Sequence, residues 1–246
     1  METYQASLKI LLVVPAYNEE ASLSGVLIDL QEKMPGCDVL VVNDGSLDDT
    51  SRVAHGAGVT VIDLSYNLGI GGAVQTGFKY ALRNGYDAIV QVDGDGQHPA
   101  EEIPRLLETL RSERCDLVIG SRFLRPTSYR GSGLRRIAIA FLSWLCSRLS
   151  GIKITDSTSG FRAFGRRALT IVADNYPVDY PEPKSIYSLA RQGMRIREVS
   201  VSMRTRESGT SSLSGLKALH YVTNVTLALL VDAIRERPAA GRGADP

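Results

Sequence analysis

Short apolar segments of strand length alternate with helical patterns through the first half of the chain. The apolar segments are KILLVVP (9–15), DVLVVN (38–43), VTVIDL (59–64), DAIVQVD (87–93) and DLVIGS (116–121). The helical patterns between them cover residues 19–33, 48–55, 71–84 and 100–111. Continuous runs of valine, isoleucine and leucine are typical of parallel strands that are buried on both faces. The pattern predicts an α/β fold with a mainly parallel sheet between helical layers.

The second half of the chain is less regular. It predicts an amphipathic helix at 135–149, a helix at 183–192 and a strand over RIREVSVSM (195–203). The segment 207–215 is rich in serine, glycine and threonine and predicts a loop, followed by an amphipathic helix at 216–237. The tail at 238–246 is predicted to be disordered.

The composition is that of an ordinary folded protein. Of 246 residues, 43% are hydrophobic and 22% are charged, which excludes collagen-like, low-complexity and wholly disordered classes. The three cysteines form no C-x-x-C pair, so neither a disulfide framework nor a cysteine-built zinc site is predicted. We recognise no targeting segment, and the two uncharged stretches that could suggest a membrane helix, 137–147 and 218–231, have only 11 and 14 residues. A spanning helix needs about 20 residues, so we expect a protein that does not cross the bilayer. The absence of a predicted disulfide framework is typical of a reducing compartment.

Charge is unevenly distributed although the formal net charge is only +1. Residues 1–116 contain 18 acidic and 8 basic side chains, whereas residues 117–246 contain 9 and 20. No carboxylate lies between Asp116 and Asp156, where seven basic residues occur. This clustering favours an anionic partner, and the alternative is a solvated basic face.

Polar residues follow four of the predicted strands, in the turns PAYNEE, NDGS, SYNLG and DGDGQH. Ligands of open α/β sheets bind beyond the carboxyl ends of the strands, so these turns predict one binding edge. The first turn lacks the glycines of the dinucleotide motif G-x-G-x-x-G. Phe78 stands where a phosphate-binding P-loop has lysine, so hydride transfer and P-loop hydrolysis are both disfavoured.

The turn DGDGQH is the most informative of the four. Asp93 and Asp95 can face one cation, and a metal with few protein ligands completes its shell with substrate phosphates. A nucleoside diphosphate is the natural source of those phosphates. The alternative to a metal site is that the segment is only an Asx-rich turn. Asp44 can bind a nucleobase N–H or cap a turn. Further predictions are a structural role for His98, and close backbone approach or packing at Asn67, Gly69, Gly71 and Gly72.

Seven ordered motifs together resemble glycosyltransferase family 2, which has the GT-A fold. They are VVPAYNEE, VVNDGS, NLGIGGAVQTG, QVDGDGQHP, GSRF, DSTSGFRAF and VSVSMRTRESGTSS, and they extend over residues 12–212. Within the family the chain is most similar to the dolichol-phosphate mannose synthase type, the polyprenyl-phosphate glycosyltransferases. The resemblance implies one Rossmann-like GT-A domain over residues 1–237. Its parts are a nucleotide region at about 8–121, an acceptor region at about 122–215 and a C-terminal helix at about 216–237.

The resemblance also implies individual roles. The nucleotide-binding residues are Pro15, Tyr17, Glu19, Asp44, Gly72, Asp93 and Gly94. The Mg²⁺ or Mn²⁺ ligands are Asp93, Asp95 and Gln97. The acceptor and phosphate residues are Arg122, one or both of Arg135 and Arg136, Ser159, Gly160, Arg162 and Arg206. The catalytic residues are Asp95, Arg122, Arg206 and Glu182.

One departure from the family pattern concerns the acceptor. Members that glycosylate a hydroxyl commonly carry a Glu-Asp pair whose aspartate is the base, but here Pro183 follows Glu182. A positioned base contributes about 10²- to 10⁴-fold to a proton transfer. A phosphate monoester has a second pKa of about 6 and is already anionic at neutral pH. The departure therefore favours a lipid phosphate acceptor, with Glu182 orienting an arginine, although Asp179 or Glu182 could serve as a base.

We therefore predict a metal-dependent, inverting transfer from a nucleoside-diphosphate sugar to polyprenyl phosphate at the cytoplasmic face of a membrane. The membrane would be met by helices near residues 137–147 and 216–234, or through a small membrane-spanning partner. Nucleic acid is not an expected partner. Two alternatives remain, namely transfer to a hydroxyl of a cell-wall or surface-polysaccharide intermediate, and a non-catalytic sugar-nucleotide-binding subunit.

Overall fold

The computed structural model describes residues 8–124, 133–204 and 216–235. Its single seven-stranded sheet has the order β3-β2-β1-β4-β6-β5-β7. The strands are β1 (Ile10–Ala16), β2 (Asp38–Asn43), β3 (Thr60–Asp63), β4 (Ala88–Gln91), β5 (Leu117–Ser121), β6 (Arg162–Gly165) and β7 (Ile196–Ser200). β6 runs antiparallel to β4 and β5, and the other neighbouring pairs are parallel. The predicted α/β class with a mainly parallel sheet is confirmed.

Helices cover both faces of this sheet. They are α1 (Leu23–Lys33), α2 (Thr50–Gly56), α3 (Gly69–Arg83), α4 (Ile103–Ser112), α5 (Gly133–Ser150), α6 (Arg166–Asp174), α7 (Pro181–Arg191) and α8 (Leu216–Arg235). Successive side chains of a strand point to opposite faces, and β1 shows the result. Leu12 and Val14 pack in the core beside α1 and α4, whereas Leu11 and Val13 pack in the core beside α3 and α6.

A third apolar cluster joins α5, α7 and α8 beside the sheet. Its buried members are Leu142, Leu145, Tyr187, Val225 and Leu229. The C-terminal helix is therefore packed onto the domain over the described residues. The predicted tail and the predicted loop at 207–215 lie outside them.

Two elements were not predicted, β6 and α6. β6 has four residues, and it includes a buried arginine and a glycine, so it lacks the apolar run that marked the other strands. It is inserted between β4 and β5, and its register pairs Gln91 with Arg162. This pairing brings the motif DSTSGFRAF to the carboxyl edge of β4, where the site described below is built.

Candidate active site

A cavity of about 530 Å³ lies at the carboxyl edge of the sheet. From the predicted nucleotide and metal residues it is lined by Pro15, Tyr17, Glu19, Asp44, Asp93, Gly94, Asp95 and Gln97. From the predicted acceptor and catalytic residues it is lined by Arg122, Arg135, Ser159, Gly160 and Glu182. The parallel strands end at a common edge, which gathers the turns that follow them. Lining residues as distant as Pro15 and Tyr221, 206 positions apart, share this cavity.

The turn after β1 is locked to the turn after β2. The backbone N–H of Asn18 donates to Ser46 Oγ at 3.0 Å, and the N–H of Leu47 donates back to Asn18 Oδ1 at 2.9 Å. The N–H of Glu19 donates to Thr50 Oγ1 at 2.8 Å. These bonds hold the chain directly after Tyr17, which is partly exposed at the cavity rim.

Asp44 is buried at the end of β2. Its Oδ1 accepts the N–H of Leu68 at 2.7 Å, directly before α3. Burial raises the pKa of Asp44, while bonds from the N–H groups of Leu68 and Gly69 oppose that rise. Gly45 has φ +67°, and a Cβ there would lie 2.7 Å from the backbone carbon of Tyr66, so only glycine fits this turn. Asp44 thus joins the end of β2 to the start of α3, a long-range contact and not the local turn cap considered from sequence. The nucleobase contact stays a prediction.

Asp93 begins the acidic turn after β4, and His98 holds its backbone. The N–H of Asp93 donates to His98 Nδ1 at 3.0 Å. Since Nδ1 accepts, the neutral ring carries its hydrogen on Nε2, which lies 3.6 Å from Asp93 Oδ2. The buried imidazole stacks on Phe161, with ring centroids 4.8 Å apart. These contacts are those of the structural role predicted for His98, and the residue also lines the cavity.

The acidic turn provides a partial ligand set for a hard cation. Asp93, Asp95 and Gln97 line the cavity and carry carboxylate or amide groups, and Asp95 Oδ1 also accepts the N–H of Gln97 at 3.0 Å. Across the described ranges, no group of three or more His, Cys, Asp or Glu side chains could hold a metal ion. The oxygen groups of Asp93, Asp95 and Gln97 fit Mg²⁺ or Mn²⁺, which take their remaining ligands from water and substrate phosphates.

Gly160 leaves room for the Asp93 carboxylate. A Cβ at position 160 would lie 3.0 Å from Asp93 Oδ2, 3.1 Å from Asp93 Oδ1 and 3.1 Å from Gln91 Nε2. The motif DSTSGFRAF therefore shapes the space around Asp93, in addition to the acceptor role that the sequence predicts for it.

Replacing Gly160 with alanine is expected to weaken Mn²⁺ binding in the presence of UDP by about 10- to 100-fold, the usual cost of disturbing groups that orient metal ligands. Titration calorimetry measures it. Gly25→Ala is the matched control, because a Cβ at Gly25 meets no atom within 4 Å. Equal affinities in the two variants would show that Gly160 does not set the Asp93 carboxylate.

Arg122 forms a buried ion pair that the sequence did not reveal. Its Nε donates to Asp156 Oδ2 at 2.7 Å and its Nη2 donates to Asp156 Oδ1 at 2.8 Å. Asp156 is 0% exposed and Arg122 is 7% exposed. A bidentate pair of this kind fixes the plane of the guanidinium. The only sequence signal was that Asp156 is the first carboxylate after the long basic stretch.

Four predicted site residues are not placed on the cavity. Arg136 borders a separate apolar groove with Phe123 and Ile137, so Arg135 is the member of the pair that lines the cavity. Arg162 is 0% exposed, and its role is to support the site from behind. Gly72 is a packing glycine, because a Cβ there would lie 2.5 Å from Leu68 Cβ. These three assignments are corrected, and Arg206 lies outside the described residues.

The buried Arg162 guanidinium connects the motif DSTSGFRAF to the start of α7. Nε donates to Ser159 O at 2.6 Å, and Nη1 donates to Glu182 O at 3.0 Å and Ser185 Oγ at 2.9 Å. The Glu182 side chain lines the cavity, and burial raises the pKa of its carboxyl while Arg162 opposes the rise. Glu182 thus binds Arg162 through its backbone carbonyl, and the orienting role of its side chain stays a prediction.

An aromatic pair on the cavity wall was also missed. Tyr180 precedes α7 with φ 52°, a left-handed conformation that is costly for a bulky residue. Its ring meets that of Tyr221 of α8 edge to face at 5.3 Å, and both residues line the cavity. The C-terminal helix therefore contributes directly to the site.

Comparisons with known proteins agree with this geometry. The model of the family described as glycosyl transferase family 2 matches residues 11–171. The undecaprenyl-phosphate mannosyltransferase of Micrococcus luteus is 38% identical over 232 residues, covering 89% of this chain and 93% of that protein. The polyprenol monophosphomannose synthase of Mycolicibacterium smegmatis is 32% identical, covering 87% of this chain and 84% of that protein.

A solved structure shares the fold. Glucosyl-3-phosphoglycerate synthase from Mycobacterium tuberculosis, in complex with Mn²⁺, UDP and glucosyl-3-phosphoglycerate, superposes with a TM-score of 0.69 at 23% identity. The match covers 93% of this chain and 81% of that one. By its motifs, its relatives and its GT-A architecture, this chain belongs to glycosyltransferase family 2.

Proposed function

We propose that this protein transfers a sugar from a nucleoside-diphosphate sugar to the phosphate of a polyprenyl phosphate. The carrying observation is that the carboxylates of Asp93 and Asp95 share one cavity with Arg122 and Arg135. Two anionic substrates meet in such a reaction, so the site must neutralise the leaving diphosphate and also admit a second phosphate. The M. luteus and M. smegmatis relatives are named for mannosyl transfer to polyprenyl phosphates, which supports this acceptor and makes a mannosyl donor the first to test.

The acidic turn serves the donor in this proposal. Asp93, Asp95 and Gln97 would hold Mg²⁺ or Mn²⁺, which supplies charge neutralisation for the departing nucleoside diphosphate. Asp44 and Tyr17 bind the nucleoside part at the other end of the cavity. The metal assignment depends on the oxygen donor set of this chain, and the M. tuberculosis enzyme crystallised with Mn²⁺ and UDP is in keeping with it.

The basic side serves the acceptor. A phosphate oxygen attacks the anomeric carbon, the bond from that carbon to the diphosphate oxygen breaks, and the configuration inverts. Arg122 meets the incoming anion with a guanidinium already oriented by Asp156, and preorganised charge of this kind contributes most of the catalysis in such reactions. No proton has to leave the acceptor, so a general base is not needed.

Exposed apolar side chains favour action at a membrane surface. Ile137 and Trp144 of α5 are 68% and 58% exposed, and α8 exposes Leu227, Val231 and Ile234. The two helices pack together through the cluster around Leu142 and Val225. Within the described residues no helix has the length and apolarity to span a bilayer. Apolar side chains with basic neighbours are typical of interfacial helices.

The deciding experiment supplies Mn²⁺ or Mg²⁺ and a panel of UDP- and GDP-sugars, with undecaprenyl phosphate, undecaprenol or free sugars as acceptors. We expect mass spectrometry to detect a lipid-linked sugar only with the phosphorylated lipid. Transfer to undecaprenol or to free sugars would favour the hydroxyl-acceptor alternative. Donor binding without turnover on any acceptor would favour the non-catalytic subunit. Vesicle flotation of the protein tests the membrane surface, and failure to float would contradict that part.

Glu182→Gln separates a supporting residue from a general base. We expect transfer to undecaprenyl phosphate to stay within about tenfold of the parent rate, whereas loss of a base costs about 10²- to 10⁴-fold. Glu113→Gln is the control, since Glu113 is a surface carboxylate that pairs with Arg197 at 2.8 Å. A loss beyond 10²-fold, about the lower limit for a base, in Glu182→Gln alone would assign the base role to Glu182.

A further inference from the structure

A second carboxylate, half-buried, lies behind the Arg122–Asp156 pair. Glu198 of β7 accepts the N–H of Thr155 at 2.8 Å through Oε2 and the N–H of Asp156 at 2.9 Å through Oε1. The hydroxyl of Thr155 also donates to Oε2, at 2.9 Å. Glu198 is therefore bound to the backbone of the residue that orients Arg122.

The neighbouring strand holds the same segment from its other side. Ser121 Oγ and Thr155 Oγ1 are 2.7 Å apart, and Ser121 directly precedes Arg122 at the end of β5. β5 and β7 are paired in parallel, with Ile119 opposite Glu198. Arg122 and its supporting segment are thus attached to two adjacent strands of the sheet.

The donors around both carboxylates explain why acidic residues occupy these positions. Glu198 receives three N–H or O–H donors from Thr155 and Asp156. Asp156 receives the N–H, Nε and Nη2 of Arg122 and the hydroxyl of Thr158. An ionised carboxylate only accepts hydrogen bonds, whereas a glutamine or asparagine amide would direct its own NH₂ at one of these donors. Both places are built for carboxylates.

We propose that Glu198 is a positioning residue that acts through Asp156 to set the Arg122 guanidinium for the acceptor phosphate. It touches neither substrate, and this role rests on the proposed function. Its effect should fall on the acceptor side, because its hydrogen bonds lead to Arg122 and not to the acidic turn.

The test compares Glu198→Gln with the parent enzyme and with Glu102→Gln. Glu102 is the matched control, because its carboxylate accepts the backbone N–H of Ser202 at 3.1 Å just beyond the same strand. We expect kcat/KM for undecaprenyl phosphate to fall by about 10- to 100-fold in Glu198→Gln, the cost of a small misplacement of a catalytic group. The Kd for UDP with Mn²⁺ should stay within about twofold, because the hydrogen bonds of Glu198 go to Thr155 and Asp156 and not to the acidic turn.

Two further readings distinguish positioning from general destabilisation. In an Arg122→Lys background, Glu198→Gln should cause little additional loss, because effects transmitted through one residue are not additive. In ¹⁵N NMR spectra, the Nε–H resonance of Arg122 should shift in Glu198→Gln and stay in place in Glu102→Gln. This resonance requires no acceptor, so it tests the inference even if the parent enzyme fails to use polyprenyl phosphate. Such a failure would count against the proposed function alone.

If Glu198→Gln does not fold, Thr155→Val provides the same test, because it removes only the hydroxyl that joins Glu198 to Ser121. We expect a smaller loss of kcat/KM in the same direction and a shifted Arg122 resonance. An unchanged resonance together with a loss that adds fully to that of Arg122→Lys would overturn the proposal.

Discussion

Replacing Asp95 with asparagine is expected to lower sugar transfer by on the order of 10²- to 10³-fold, the range seen when one preorganised electrostatic group is removed from a site. The change keeps the shape of the side chain and the oxygen that accepts the N–H of Gln97. It removes the charge that would help to hold the metal and, through it, the leaving diphosphate. The folded structure should therefore survive while turnover fails.

Initial rates at saturating donor and lipid phosphate measure this loss. Asp49→Asn is the matched control, since the Asp49 carboxylate lies on the surface and pairs with the nearby Arg52 at 2.7 Å. Partial recovery of Asp95→Asn at high Mn²⁺ would place the defect in metal binding. Parent-like turnover in Asp95→Asn would remove the metal role from this turn.

Replacing Arg122 with alanine is expected to lower the free energy of unfolding by about 3–5 kcal/mol, the usual cost of breaking a buried ion pair from one side. The reason is Asp156, which is 0% exposed and would lose its bidentate counter-ion. The same variant should also lose acceptor turnover, because the guanidinium that meets the phosphate is gone. Urea unfolding monitored by circular dichroism measures the stability change.

A double variant separates these two losses. Arg122→Met combined with Asp156→Asn removes both charges, so it should recover part of the stability without recovering turnover. Arg167→Ala is the control, because the exposed Arg167 guanidinium meets Asp116 only at 3.3 Å and should contribute less than about 1 kcal/mol. A urea midpoint for Arg122→Ala equal to that of Arg167→Ala would refute the buried-pair account.

Local sequence pattern predicted the strands that carry the nucleotide side of the site. The run KILLVVP predicted β1 one residue early, and DVLVVN coincides with β2. These strands are recognisable because both of their faces are buried, and a strand of this kind has a continuous run of apolar residues. β6 was missed since it is held by its neighbours on both sides and has no apolar run of its own.

The positions of the arginines on the acceptor side could not be predicted from the sequence. The sequence does not show which of the adjacent residues Arg135 and Arg136 lines the site. The orientation of α5 places Arg135 on the cavity and Arg136 on a separate groove. Arg162 has the chemistry of a phosphate ligand, yet its guanidinium is enclosed by Ser159, Glu182 and Ser185. Burial of a polar side chain depends on partners that are distant along the chain.

By itself the sequence determined the α/β class, the family and the edge at which the acidic turns gather. Strand ends in a parallel sheet meet at one edge whatever the loops do, so these features follow from local runs of residues. Only the tertiary structure decided that Gly160 makes room for Asp93, that Asp156 orients Arg122 and that Glu198 stands behind Asp156. These contacts join residues that are 34, 42 and 67 positions apart along the chain. Local periodicity does not predict which of such distant groups will meet.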